Sequence, residues 1–196
     1  MAWMSDNIKM ETTGGGIGKM FSKAFSGESM FQNHYTALAD NESITFGSSF
    51  PGSILKLDVD KSNEFILQKT AFLASTSNVN LSIHFNKKIG AGFFGGEGFI
   101  MQKLSGWIAF VEIDGSLIIK ELAACEKLIV DTGNIVGFTS NVKMDIKTVP
   151  GIKNKLFGGE GLFNIVLTGP GTVYLQTMSM NNLINLIACG ISSGNQ

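Results

Sequence analysis

The sequence predicts an all-β protein assembled from tandem copies of one unit of about 63 residues. Three observations carry that prediction: a long internal repeat, alternation of apolar and polar residues with period two, and turn-forming glycines at repeat-equivalent positions.

The repeat comes first because it orders everything else. Residues 50–112 align with residues 113–175 at a constant offset of 63 (113 − 50), without a gap. Gly52-Ser53 matches Gly115-Ser116, and Thr76-Ser77-Asn78-Val79 matches Thr139-Ser140-Asn141-Val142. Phe94-Gly95-Gly96-Glu97-Gly98 matches Phe157-Gly158-Gly159-Glu160-Gly161, and Leu104-x-Gly106 matches Leu167-x-Gly169. Ile66, Ile83 and Ile89 pair with Ile129, Ile146 and Ile152. A more divergent third copy lies at the N-terminus. There Asp6-Asn7-Ile8-Lys9-Met10 echoes Ser77-Asn78-Val79-Asn80-Leu81, and Phe25-Ser26-Gly27-Glu28-Ser29-Met30-Phe31 echoes Phe94 to Ile100. Its connecting loop is two residues longer, and the counterpart of residues 50–72 would precede Met1. The expected organisation is a first unit over 1–49 lacking its leading strands, a second over 50–112, a third over 113–175, and a tail over 176–196. All four are expected to form one compact structural domain.

Within the units, period two predicts strands. Val79, Leu81, Ile83 and Phe85 fall on one face, with Asn80, Ser82 and His84 on the other. In the next copy Val142, Met144 and Ile146 alternate with Lys143, Asp145 and Lys147. Phe65 to Leu67 and Trp107 to Val111 are apolar throughout, the pattern of strands packed on both faces. Pro51-Gly52, Asp114-Gly115, Thr132-Gly133 and Gly169-Pro170-Gly171 supply turns between them. The 24 glycines recur at equivalent points, which suits bulges and corners in a coiled or closed sheet. One short C-terminal helix is predicted. Ser179 caps a segment whose Leu183, Ile184, Leu186 and Ile187 form one apolar stripe, expected to cover an end of the sheet.

Composition narrows the function classes. Apolar residues make up 44% and charged residues 16%, a balance for a packed core rather than a disordered chain. Net charge is −1 with scattered lysines, so the chain lacks the massed positive charge that nucleic-acid backbones require. Cys125 and Cys189 sit among apolar neighbours and read as buried reduced thiols rather than a disulfide. No signal peptide is visible at the N-terminus, and no run reaches the roughly 18 apolar residues of a membrane helix. The expectation is a cytoplasmic, non-spanning protein.

The Gly-Gly-Glu-Gly turn, the Leu-x-Gly-x-Gly-x-Val run ending Tyr174-Leu175-Gln176-Thr177, and the three copies together resemble a known family. It comprises bacterial and mitochondrial proteins named for altered inheritance of mitochondria, also known as domain of unknown function 124. The resemblance implies a triplicated fold like that of the tryptophan RNA-binding attenuation protein. That fold is a double-stranded β-helix or sandwich around a pseudo-threefold axis, often assembled as a homotrimer. It supplies no catalytic residues and no cofactor.

Motifs with a chemical look are weaker than that frame. Gly90-Ala91-Gly92-Phe93-Phe94-Gly95 fits G-x-G-x-x-G, but a strand follows it rather than the helix whose N-terminus binds pyrophosphate. The next copy, Lys153 to Gly158, dispenses with the pattern. Gly14 to Met20 resembles a phosphate-binding loop only faintly, lacking Ser or Thr after Lys19. Glu28, Glu97 and Glu160 admit two readings. They gather around an axis to hold a ligand, or each accepts backbone N–H bonds in its own turn. Recurrence in every copy favours the structural reading. His34 and His84 have no partner at metal-ligand spacing, so no metal site and no catalytic set is expected.

The loops before each glutamate turn combine glycine, bulky apolar residues and lysine. They hold Lys19, Met20, Phe21, Lys23 and Phe25 in the first unit, Phe93 and Phe94 in the second, and Lys153, Lys155 and Phe157 in the third. Such loops either cap the core beneath them or present a partner or membrane surface. The function expected is a non-enzymatic oligomeric scaffold or protein-interaction protein. The alternatives are a ligand- or RNA-binding module using Trp3, Trp107 and Tyr174, and peripheral membrane contact through the loops.

Overall fold

The structure, a computed structural model, describes residues 1–13, 32–60, 64–87, 99–148, 163–179, 182–184 and 186–187. Its contacts separate Met1–Gly47 from Ser48–Gln196, and the chain is nearly all β.

The first unit holds Trp3–Met4 (β1), Ile8–Thr13 (β2), Gln32–Ala37 (β3) and Ile44–Thr45 (β4). β1 pairs antiparallel with β4, and β2 with β3. The chain between β1 and β2 is tied to the chain before β4. The Ser43 N–H donates to Ser5 Oγ at 3.0 Å, and the Asn7 amide donates to Glu42 Oε1 at 3.0 Å. Tyr35 and Phe46 meet edge to face at 5.6 Å, a favoured aromatic geometry.

The described residues of the second unit carry twelve strands in two runs of six. The first run is Gly52–Asp58 (β5), Phe65–Gln68 (β6), Phe72–Ser75 (β7), Asn80–Lys87 (β8), Phe99–Ser105 (β9) and Ile108–Asp114 (β10). The second is Leu117–Leu122 (β11), Lys127–Asp131 (β12), Ile135–Thr139 (β13), Lys143–Thr148 (β14), Phe163–Thr168 (β15) and Gly171–Gln176 (β16). They form three sheets, ordered β5-β10-β7, β11-β16-β13-β6-β9-β8 and β12-β15-β14.

The six-stranded sheet is the middle layer of a stack. One core cluster joins its Ile66, Phe99, Met101, Phe138 and Val173 to Val130, Ile165 and Leu167 of β12-β15-β14. The other joins its Phe65, Leu67, Leu104 and Val136 to Leu57, Ala109, Val111 and Ile113 of β5-β10-β7. Strand side chains alternate, so a sheet covered on both faces needs consecutive apolar residues. β6 therefore buries all four of Phe65, Ile66, Leu67 and Gln68. Strand β8 obeys the alternation read from sequence, with Asn80, Ser82 and His84 exposed and Val79, Leu81 and Phe85 half-buried. Ile83 leaves the pattern and is exposed, next to the register shift between Ile83 and Phe85.

Strand pairing carries the sequence repeat. Phe65 faces Leu104 and Leu128 faces Leu167, a shift of 63 on both strands (128 − 65, 167 − 104). Asn80 faces Ser105 and Lys143 faces Thr168, again 63 on both (143 − 80, 168 − 105). The last strand departs from this. Ile54 faces Glu112 while Leu117 faces Gln176, so β11 is displaced by 63 (117 − 54) but β16 by 64 (176 − 112). The gapless alignment is thus corrected after Gly169. One extra residue enters at Pro170-Gly171, where the first run has Trp107 alone. Trp107 itself lies in that turn and is exposed, not packed on two faces.

Two further readings are corrected. Cys125 is an exposed free thiol in the turn between β11 and β12, at a positive φ of 66°, and Cys189 lies outside the described residues. Ser179 does cap the C-terminal helical residues 182–184 and 186–187. Its hydroxyl accepts the Asn182 N–H at 3.3 Å and its carbonyl the Leu183 N–H at 3.1 Å. The helix does not bury its apolar stripe, however, since Ile184, Leu186 and Ile187 stay exposed. Among the described residues no helix is long and apolar enough to cross a membrane, which says nothing of a β-barrel.

Candidate functional site

The loop residues singled out by sequence, Lys19, Met20, Phe21, Lys23, Phe25, Phe93, Phe94, Lys153, Lys155 and Phe157, lie outside the described residues. So do the turn carboxylates Glu28, Glu97 and Glu160. His34 and His84 stand exposed on β3 and β8. No group of three or more His, Cys, Asp or Glu side chains is placed to hold a metal ion among the described residues. Of the aromatics, Trp3 and Trp107 are exposed. Tyr174 is half-buried, with its ring edge-on to Phe65 at 5.0 Å. Burial, and secondarily the Glu121 charge, push the Tyr174 phenol above its ordinary pKa.

What the fold does expose is a set of strand edges. β5, β7, β8, β11, β12 and β14 each end a sheet in the second unit, leaving one side without a described partner strand. Four of these edges carry exposed isoleucine: Ile54 on β5, Ile83 on β8, Ile118 and Ile119 on β11, and Ile129 on β12. An edge presents unpaired N–H and C=O groups, and natural proteins usually blunt it with charge, proline or a cover. Here the blunting is partial. Lys56 and Asp58 pair at 3.0 Å on β5, while Lys120 and Glu121 follow the two isoleucines of β11. Sequence reading missed this set because period two predicts an inward face without showing whether anything covers the strand.

One edge-to-edge contact is already made inside the unit, where β13 meets β6. Gly137 faces Leu67, Phe138 faces Ile66 and Thr139 faces Phe65. The Ser140 N–H extends the ladder to the Glu64 carbonyl at 3.0 Å. Gly137 is required there, because a Cβ would stand 2.5 Å from both the Ile66 carbonyl oxygen and the Phe65 ring. Beside the join, Lys103 and Glu64 form an ion pair at 2.6 Å, about a third exposed and so of small energetic weight.

A second polar feature fixes where the chain enters this unit. Glu112 is buried on β10, and its Oε2 accepts the Ser49 N–H at 2.9 Å, the Ser49 hydroxyl at 2.8 Å and the Ser48 hydroxyl at 3.1 Å. Asp114, two residues along and on the same face, is pushed above the usual carboxylate range by burial first and by Glu112 second. Gln176 stitches the neighbouring turns. Its Oε1 accepts the Asp114 N–H at 3.0 Å and its Nε2 donates to the Gly133 carbonyl at 2.9 Å. The single Ser48 hydroxyl proton is shared with the Phe50 carbonyl at 2.9 Å, so the two Ser49 bonds are what make Glu112 an anchor for Ser48–Phe50.

Comparison with known proteins sets these edges in context. A family model described as mitochondrial biogenesis AIM24 matches residues 1–178. No curated protein matches the chain. Among solved structures, the chain is similar to a Streptococcus pyogenes protein determined by X-ray crystallography as a structural-genomics target. The TM-score is 0.72 at 22% identity, covering 96% of this chain and 84% of that one. At that identity the likeness shows the fold.

Proposed function

The chain belongs to the mitochondrial biogenesis AIM24 family, and from that premise we propose that it is a non-enzymatic scaffold that assembles with other protein chains through its open sheet edges. The observation that carries this reading is the exposed isoleucine on four edge strands, Ile54, Ile83, Ile118 with Ile119, and Ile129. A β-branched side chain beside unpaired backbone groups is the chemistry of strand addition, in which main-chain hydrogen bonds supply affinity and side chains select the partner. The family resemblance favours three copies as the assembly. Multi-angle light scattering of the full chain tests it. Defined multimers are expected, and a strict monomer at micromolar concentration would count against the oligomeric scaffold.

A second reading, binding of a ligand or single-stranded RNA, is favoured by the exposed indoles of Trp3 and Trp107. A net charge of −1 supplies no electrostatic funnel, so weak, stacking-dominated binding is the expected form. Filter binding with mixed-sequence RNA at low salt tests it, and no retention would end this reading.

A further inference from the structure

We propose that the open edges of β7 and β12 join head to tail between two copies of the chain, in the way β13 and β6 join within one. This rests on the scaffold reading and deepens it by naming the partner as a second copy and the contact as one strand pair.

The repeat supplies the argument. β13 is the counterpart of β7, and β12 of β6, each displaced by 63 (138 − 75, 129 − 66). Each six-strand run therefore carries one edge of either kind. Among the described residues of the second unit one of these joins is made, β13 to β6. β7 pairs with β10 alone and β12 with β15 alone among the described residues.

The open edges also match each other in size and charge. Transferring the completed register by 63 places Ala74 opposite Val130, Ser75 opposite Ile129 and Thr76 opposite Leu128. In the completed join the Phe65 ring lies against Gly137, which can have no Cβ. At the open edges those positions are Leu128 and Ala74, so a smaller side chain meets a methyl group where a ring met none. Thr76 already repeats the bonding of Thr139. Thr139 Oγ1 accepts the Thr172 N–H at 3.0 Å, and Thr76 Oγ1 accepts the Ile108 N–H at 3.3 Å. β7 bears no charge, so nothing repels Lys127 or Asp131 at the ends of β12. A contact between two different edges is heterologous, closing into a ring or continuing as a chain of copies.

The test uses the full chain by light scattering over a range of concentrations, with circular dichroism as the folding check. Wild type is expected to form concentration-dependent multimers, and Ile129→Lys and Ser75→Lys are each expected to be monomeric. Mixed, these two variants should give dimers that grow no further, because each keeps one intact edge. Ser116→Lys, exposed in the turn between β10 and β11 and on no edge strand, should assemble as wild type does. Should a lysine variant fail to fold, Ser75→Cys and Ile129→Cys proteins, each also carrying Cys125→Ser and Cys189→Ser, are mixed under mild oxidation. Opposed residues of an antiparallel pair lie close enough for a disulfide, so a linked heterodimer is expected. Multimers undiminished by both lysine variants would overturn the join while leaving the scaffold reading in place. A monomeric wild type would overturn both, as would a monomer together with no cross-link.

Discussion

Replacing Glu112 with alanine tests the account of how Ser48–Phe50 is held to the second unit. One carboxylate oxygen accepts the Ser49 N–H at 2.9 Å and the Ser49 hydroxyl at 2.8 Å, while the Ser48 hydroxyl at 3.1 Å shares its proton with the Phe50 carbonyl at 2.9 Å. Fully buried bonds to a charged group contribute about 1.5–3 kcal/mol each. Ser49 is exposed and Ser48 half-buried, so water replaces part of what is lost. About 1 kcal/mol per bond is the appropriate scale, giving a loss of about 2 kcal/mol for Glu112→Ala from the two Ser49 bonds. Glu112→Gln keeps one acceptor without the charge and should lose about half as much. Urea unfolding followed by circular dichroism reads the stability, and amide exchange at Ser49 reads the local bond. Both should change together, with Ser49 exchanging faster in the alanine variant. An unchanged midpoint with unchanged Ser49 exchange would refute the anchoring role.

Three further outcomes are expected. Gly106 has φ +142°, and a Cβ there would stand 2.2 Å from the Asn78 carbonyl oxygen. Gly106→Ala should therefore lower stability by about 2 kcal/mol or more in the same urea assay. Asp114 keeps its proton to higher pH when folded than when unfolded, so its ionisation opposes folding and stability falls as pH rises through the raised value. Asp114→Asn should thus melt above wild type at neutral pH and lose that advantage once pH drops below the ordinary carboxylate value, as scanning calorimetry at several pH values would read. In a Cys189→Ser background the exposed thiol of Cys125 should react with a thiol reagent in the native state. Slow labelling that requires denaturant would contradict its exposure.

Much of the fold was legible because its causes are local. The identities between Gly52 and Gly106 and their partners up to Gly169 marked the repeat, and Phe65-Ile66-Leu67 announced a strand covered on both faces. Asp114-Gly115 gave its turn, with Gly115 at φ +75°, and Ser179 gave its cap. The one-residue insertion at Pro170-Gly171 was invisible because the two runs share no identical residue beyond Gly106 and Gly169. Cys125 was misread because its apolar neighbours suggested burial, while a tight turn turns its side chain outward. The loops, which composition reads as core caps or as a partner surface, lie outside the described residues.

The sequence by itself determined that this chain is a repeated β unit, and where most of its strands and turns fall. Period, propensity and turn chemistry depend on residues only a few positions apart. Only the tertiary structure decided which edges are joined and which are open. Ile66 and Ile129 stand at the same repeat position, yet one is buried and the other exposed. Their difference arises because Ile66 lies on the face of the middle sheet that packs against Val130, Ile165 and Leu167, while Ile129 belongs to neither core cluster of the described residues. Burial follows from the long-range stacking of sheet faces, and no local pattern encodes that stacking or which of two equivalent edges finds its partner within the unit.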